Sequence, residues 1–229
     1  MMSWITNATR ALLLASAATV SLSGAALAGP AWEFTSASNS FSNGTWVFAT
    51  SFVVNADVMA SGLGYYADPN TGNVSGNPVA LYSCDNLTCT GTGTLIGSAS
   101  IDNTYALNGN FRYQTIDPVL LVAGQAYQVS GVSNQTNYTW DNVGFATDPA
   151  LTILTDTNGN MDRYAFNIAS PIFLNSYINE GNGAQVLDGW WGPNVFLGEA
   201  SGFTDVPEPA SLALLGVALA GLAGLRRRA

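Results

Sequence analysis

Asp156, Asn158, Asn160 and Asp162 place an oxygen-bearing side chain at every second position of Asp156-Thr157-Asn158-Gly159-Asn160-Met161-Asp162. Calcium takes about six to eight oxygens at about 2.4 Å, and closely spaced Asp and Asn side chains supply them. The segment is therefore a candidate calcium site, and calcium is the one cofactor the sequence offers. In a twelve-position calcium loop a glycine is expected sixth and a Glu twelfth; here those positions hold Met161 and Asn167. The alternative is a hairpin turn on Asn158-Gly159, its Asx side chains bonding their own backbone.

Trp190-Trp191 is the second candidate. Adjacent residues of a strand face opposite sides, so a strand here puts one indole in the core and the other outside. An exposed indole gives a flat platform for a sugar ring, with neighbouring Asp and Asn for its hydroxyls. The competing reading packs both tryptophans, which are highly buried on average.

Enzyme chemistry is narrowed by what is missing. The 229 residues contain no histidine and no lysine. Ser-His-Asp or Cys-His nucleophiles, His-ligated metals, Schiff bases and P-loops are excluded. Only carboxylates are present in number, so a two-carboxylate glycoside hydrolase is the remaining enzyme class. No acidic pair stands out by context, and the chain reads as a non-enzyme with no catalytic residue to nominate.

Cys84 and Cys89, the only cysteines, frame Cys84-Asp85-Asn86-Leu87-Thr88-Cys89. In an exported chain such a pair reads as a disulfide across a tight loop. The alternative, a redox pair, usually has two intervening residues and a helix start, whereas four turn-forming residues intervene here.

The elements that must position these residues read as strands. Thr45–Val54, Val58–Tyr66, Val79–Ser83, Thr94–Ile101, Phe111–Ile116, Ala126–Val132, Tyr164–Ile168, Ile172–Ile178 and Trp190–Leu197 are rich in β-branched and aromatic residues. Breakers such as Asp68-Pro69-Asn70, Asn108-Gly109, Asp117-Pro118 and Gly192-Pro193 separate them. Many short strands at this spacing predict an all-β, antiparallel β-sandwich of jelly-roll or immunoglobulin-like type. Val79–Ser83 and Thr94–Ile101 flank the cysteine loop and should form a hairpin clipped by it. Leu121, Gly124 and Tyr127 have the spacing of a tyrosine corner, in which a tyrosine hydroxyl bonds back to the chain as it crosses between sheets.

The two ends read as targeting segments. Residues 1–28 have a signal peptide's order: Arg10, the apolar run Ala11–Val20, then Ala26-Leu27-Ala28 before Gly29. Signal peptidase is expected to cut after Ala28. At the other end the apolar run Ala210–Leu225 follows Pro207-Glu208-Pro209 and precedes Arg226-Arg227-Arg228. As a helix that run reaches about 24 Å, at the short limit for a membrane span. The arginines would hold its end in the cytoplasm and leave the rest of the chain outside. A signal helix and a short transmembrane helix thus flank a predicted 29–206 domain. That domain keeps 14 acids against Arg112 and Arg163, a net charge of −12, so nucleic acid is excluded as a partner.

The tail Val206–Ala229 closely resembles the PEP-CTERM sorting signal of exopolysaccharide-producing Gram-negative bacteria. It has that signal's proline-glutamate-proline motif, short helix and arginine cluster in order. The resemblance implies cleavage by the membrane protease exosortase, which would recognise Pro207, Glu208, Pro209 and the cluster Arg226, Arg227 and Arg228. Ser61–Val132 resembles a secreted β-sandwich domain of unknown function common in PEP-CTERM proteins. The likeness rests on Gly62-Leu63-Gly64-Tyr65-Tyr66, Val79-Ala80-Leu81-Tyr82, Ile96-Gly97-Ser98-Ala99 and Pro118-Val119-Leu120-Leu121, with Gly192-Pro193-Asn194 and Phe196 further on. The 156–162 segment is similar to the start of the calcium loops of EF-hands and dockerins. These resemblances imply a chain exported through the inner membrane, transiently anchored there, then released to the cell surface or the extracellular matrix. Its expected role is structural or adhesive, linked to exopolysaccharide or biofilm. The alternatives are a carbohydrate-binding module and, more remotely, the glycoside hydrolase.

Overall fold

Alternation and β-branching make strands of nearly every apolar stretch. The computed structural model describes residues 28–36, 39–68, 74–136, 138–140, 144–156, 161, 163–177 and 190–199. In chain order the strands begin with β1 (Gly29–Pro30), β2 (Trp32–Glu33), β3 (Asn39–Phe41), β4 (Trp46–Val54) and β5 (Val58–Tyr66). Next come β6 (Asn77–Cys84), β7 (Gly93–Ile101), β8 (Leu107–Asn108), β9 (Phe111–Leu121) and β10 (Ala126–Val132). The last are β11 (Tyr138–Trp140), β12 (Ala146–Thr147), β13 (Leu151–Ile153), β14 (Arg163–Phe166), β15 (Trp190–Trp191) and β16 (Pro193–Leu197). No α-helix occurs among the described residues. The expected signal helix and C-terminal helix lie outside them.

Two antiparallel sheets carry the architecture. One runs β1-β16-β5-β9-β8; the other runs β13-β4-β10-β6-β7, with β14 also paired to β4. Smaller sheets, β15-β11-β3 and β12-β2, flank them. Phe52, Val54, Leu81, Tyr127 and Val129 from the larger sheet and Leu63, Tyr65, Tyr113, Val195 and Leu197 from the other join one apolar cluster. This arrangement accords with a sandwich: each sheet hides one face against its partner.

The chain crosses between the sheets at 122–125, and the tyrosine corner holds that crossing. The amide of Val122 donates to the Tyr127 hydroxyl at 2.9 Å. Gly124 sits at φ +77° with nothing within 4 Å of a would-be Cβ. Glycine is therefore needed there for its backbone conformation and not for space.

Four sequence expectations shift. The Asp117-Pro118 breaker does not end β9, which runs on to Leu121. Register slips between β5 and β9 from Ala60↔Val119 to Gly62↔Thr115, so Pro118 falls within a bulge, where a missing amide donor costs no ladder bond. Of the expected strand Ile172–Ile178, the described residues 172–177 are not a strand: residues 167–177 have no regular structure and lie across the outer face of the larger sheet. The expected strand Trp190–Leu197 breaks at Gly192 into β15, paired with β11, and β16, paired with β5. The short strands β1 to β3, β11 and β13 have no clear sequence signal, because neighbours rather than intrinsic propensity decide two- and three-residue strands.

One end of the sandwich gathers the chain's comings and goings. Gly29 of β1 lies opposite Leu197 of β16. At the same end lie the β4–β5 turn at 55–57, the 122–125 crossing and the cysteine loop between β6 and β7. We call this the exit end. Gly198 is at φ +90°, and a Cβ there would come within 2.7 Å of Ala28 Cα, so the backbone at 28 and at 198 passes in direct contact.

Candidate functional site

The cysteine loop is a structured tip. Cys84 and Cys89 form a disulfide at the end of the β6–β7 hairpin, as the flanking strands predict. The Asn86 side-chain oxygen accepts from the amides of Thr88 and Thr90, both at 3.1 Å, and from the Thr88 hydroxyl at 2.9 Å. Thr92 donates its hydroxyl to Asp85 at 2.9 Å. These local bonds hold a short loop that carries few apolar contacts of its own. Cys89 is buried at φ +52°, and its carbonyl turns inward.

Arg163 waits for that carbonyl. The side chain is fully buried, and its acceptors are backbone carbonyls: Cys89, Thr88 at 2.7 Å and Leu174 at 2.7 Å. The guanidinium also stacks over the Tyr177 ring, 4.1 Å from its centroid, while Nε has no partner. A buried cation needs several charge-assisted bonds to offset its lost hydration. Three carbonyls from two segments supply them, so the cysteine loop and the 167–177 segment are locked together through one residue.

Gln128 extends the lock along β10. Its amide nitrogen donates to the Leu174 carbonyl and to Ser51 Oγ, and its oxygen accepts from the Leu174 amide. Tyr82 donates its hydroxyl to the Pro171 carbonyl at 2.9 Å, and its ring meets Phe173 edge-on. Burial raises the Tyr82 pKa, with a smaller opposing influence from Ser130, so the phenol stays protonated and donating at neutral pH. The 167–177 segment is thus a strap over the larger sheet, pinned by Arg163, Gln128 and Tyr82. The sequence held one hint of it: Arg163 is one of two cations in residues 29–206 and stands in the apolar strand Arg-Tyr-Ala-Phe. Gln128 and Tyr82 gave no such signal.

The nominated sites are dispersed. Trp191 is 1% exposed, packed against Trp32 and stacked on Phe145. It packs in the core and offers no sugar platform; the Trp190 side chain lies outside the described residues. Of the calcium candidates only Asp156 is described, on the stretch after β13; Asn158, Asn160 and Asp162 lie outside. Met161, where a calcium loop would have glycine, is buried in the main apolar cluster. Ala28 packs against that cluster and Gly29 opens β1, while Ala26 lies outside the described residues. Pro207, Glu208, Pro209 and Arg226, Arg227 and Arg228 do too. Among the described residues no three metal-binding side chains of the His, Cys, Asp or Glu type cluster.

Burial also pushes the hydroxyls of Tyr65 and Tyr113 well above the ordinary tyrosine range, with smaller contributions from Tyr138 and Glu33 respectively. Both are neutral core phenols and not bases.

Residues 205–228 match the PEP-CTERM protein-sorting motif. That motif implies export, membrane anchoring before processing, and processing by exosortase. No curated protein matches the chain. No solved structure matches it.

Proposed function

We propose that the 29–206 domain is a structural or adhesive protein of the cell surface or extracellular matrix, linked to exopolysaccharide or biofilm and set free by exosortase. The observation that carries this reading is the sorting motif at residues 205–228, which begins shortly after the last strand of the sandwich, Pro193–Leu197. The fold supports it. Trp191 is packed in the core, and the strap is held on one outer face by polar pins, an arrangement suited to a durable surface module. In this reading the domain catalyses nothing, signal peptidase frees its N-terminus at Gly29, and exopolysaccharide is its neighbour or ligand. Calcium at Asp156, Asn158, Asn160 and Asp162 is an optional brace for the 156–162 loop.

The test is sorting. Changing Pro207 and Pro209 to Ala should leave the chain membrane-retained with its tail uncut. Tail removal at the normal rate would defeat the reading. Glycan binding by the released protein, measured with and without calcium, then separates a matrix component from a carbohydrate-binding module.

A further inference from the structure

We infer that the exit end of the sandwich rests on the lipid bilayer while the tail is still anchored, touching it through the apolar tips Leu87, Leu120 and Val122. The inference rests on the reading that the tail is membrane-anchored before it is cut.

The geometry starts at β16. This strand runs toward the exit end, and the chain leaves the described fold at Glu199. Only residues 200–206 separate Glu199 from Pro207. Fully extended, eight steps of about 3.6 Å give a tether of at most about 29 Å. The nine residues of β5 make eight steps of about 3.3 Å, about 26 Å, and the turns at its ends lengthen the sandwich further. A tether about as long as the sandwich itself, even when fully stretched, favours the exit end facing the membrane. The far end reaches the bilayer only if the domain inverts on a taut tether.

The surface of the exit end fits that placement. Leu87 is 57% exposed at the tip of the cysteine loop, and Leu120 and Val122 are 52% and 43% exposed where β9 leads into the crossing. The loop's internal hydrogen bonds and the disulfide hold Leu87 outward. The tyrosine corner fixes Val122 through its own amide. These tips are apolar side chains on rigid mounts, a shape suited to the headgroup boundary.

Charge selects the lipid. The exit end carries Asp57, Asp85, Asp148 and Glu199, while Arg112 stands at the far end opposite Tyr65 and Arg163 is buried. An acidic end is repelled by anionic headgroups, so the fit is to a zwitterionic surface. Three separate tips bind weakly alone, and the tether supplies the effective concentration. Once the tail is cut, the contact lapses and the domain is free to leave.

The experiment uses the full chain with its tail uncut, in phosphatidylcholine vesicles containing a lipid with a photoactivatable diazirine headgroup. Labelled peptides are mapped by mass spectrometry. Leu107 and Phe166 are 48% and 51% exposed at the far end, and serve as internal controls of equal apolar exposure. Peptides holding Leu87, Leu120 and Val122 should be labelled several-fold more than those holding Leu107 and Phe166. Leu87→Asp with Val122→Asp should lower labelling at Leu120 several-fold, with the melting temperature kept to show intact folding. Replacing part of the phosphatidylcholine with phosphatidylglycerol should lower labelling at all three tips. Equal labelling of both ends, or stronger labelling of Leu107 and Phe166, would overturn the inference while leaving the anchoring intact. A chain that does not float with the vesicles at all would overturn the anchoring, and the inference with it.

Discussion

The space between the sheets and the space under the strap are both buried, yet they are held by opposite means. Between the sheets Phe52, Leu63, Leu81, Val129 and Val195 pack with no formal charge. Under the strap, Arg163, Gln128 and Ser51 are buried, and all their polar groups but Arg163 Nε are bonded across elements. The first region is non-directional and tolerates exchange of one apolar shape for another. The second is directional: the Thr88 and Cys89 carbonyls depend on Arg163, and losing that donor strands them. The core should therefore fail globally and the strap locally.

The largest expected effect breaks the core. Phe52→Ala removes a fully buried ring at the centre of the larger sheet, and should cost about 4 kcal/mol. Hydrogen exchange should then rise together in β4, β5 and β10. A rise confined to β4 would contradict a shared core.

Arg163→Ala comes next, at about 3 kcal/mol, because it strands the carbonyls of Thr88 and Cys89 and leaves that of Leu174 to Gln128 alone. Its signature should differ from that of Phe52→Ala. Exchange should quicken first at Thr88 and in 167–177, with β5 and β16 protected as before. Uniform loss of protection would erase the distinction between the two regions.

Replacing both Cys84 and Cys89 with Ser should cost about 2 kcal/mol at most, since the closed loop is short. Because Arg163 still holds the loop carbonyls, the double variant should keep the strap docked, as read from the amide of Leu174. Undocking would mean that the disulfide, and not the arginine, orders the tip.

The smallest effect lies in neither region and calibrates both. Asp102 Oδ1 accepts from the Thr104 hydroxyl at 2.5 Å and amide at 2.8 Å, and these bonds lower its carboxyl pKa. A lowered folded pKa stabilises above the unfolded value, about 3.9 for Asp, and the benefit is lost as pH falls through the folded value. Asp102→Asn should flatten that acid limb of a stability profile slightly and leave neutral stability nearly unchanged. A large loss at neutral pH would show a structural role beyond the turn.

The sequence by itself determined the all-β class, the larger strands, the cysteine hairpin, the tyrosine corner and the sorting signal. Each is written in local pattern: alternation at period two, glycines and tyrosine at fixed spacing, or an ordered motif at residues 205–228. Tertiary structure alone decided that residues 172–177 are strap and not strand, because their apolar pattern fits either and only Gln128, Tyr82 and Arg163 choose. It decided that Trp191 packs in the core, which strand parity alone does not say. It also let Pro118 stay within β9, through a bulge opposite Ser61 that no local signal announces. Pattern reports which surfaces want burial; what covers them depends on partners brought from far along the chain.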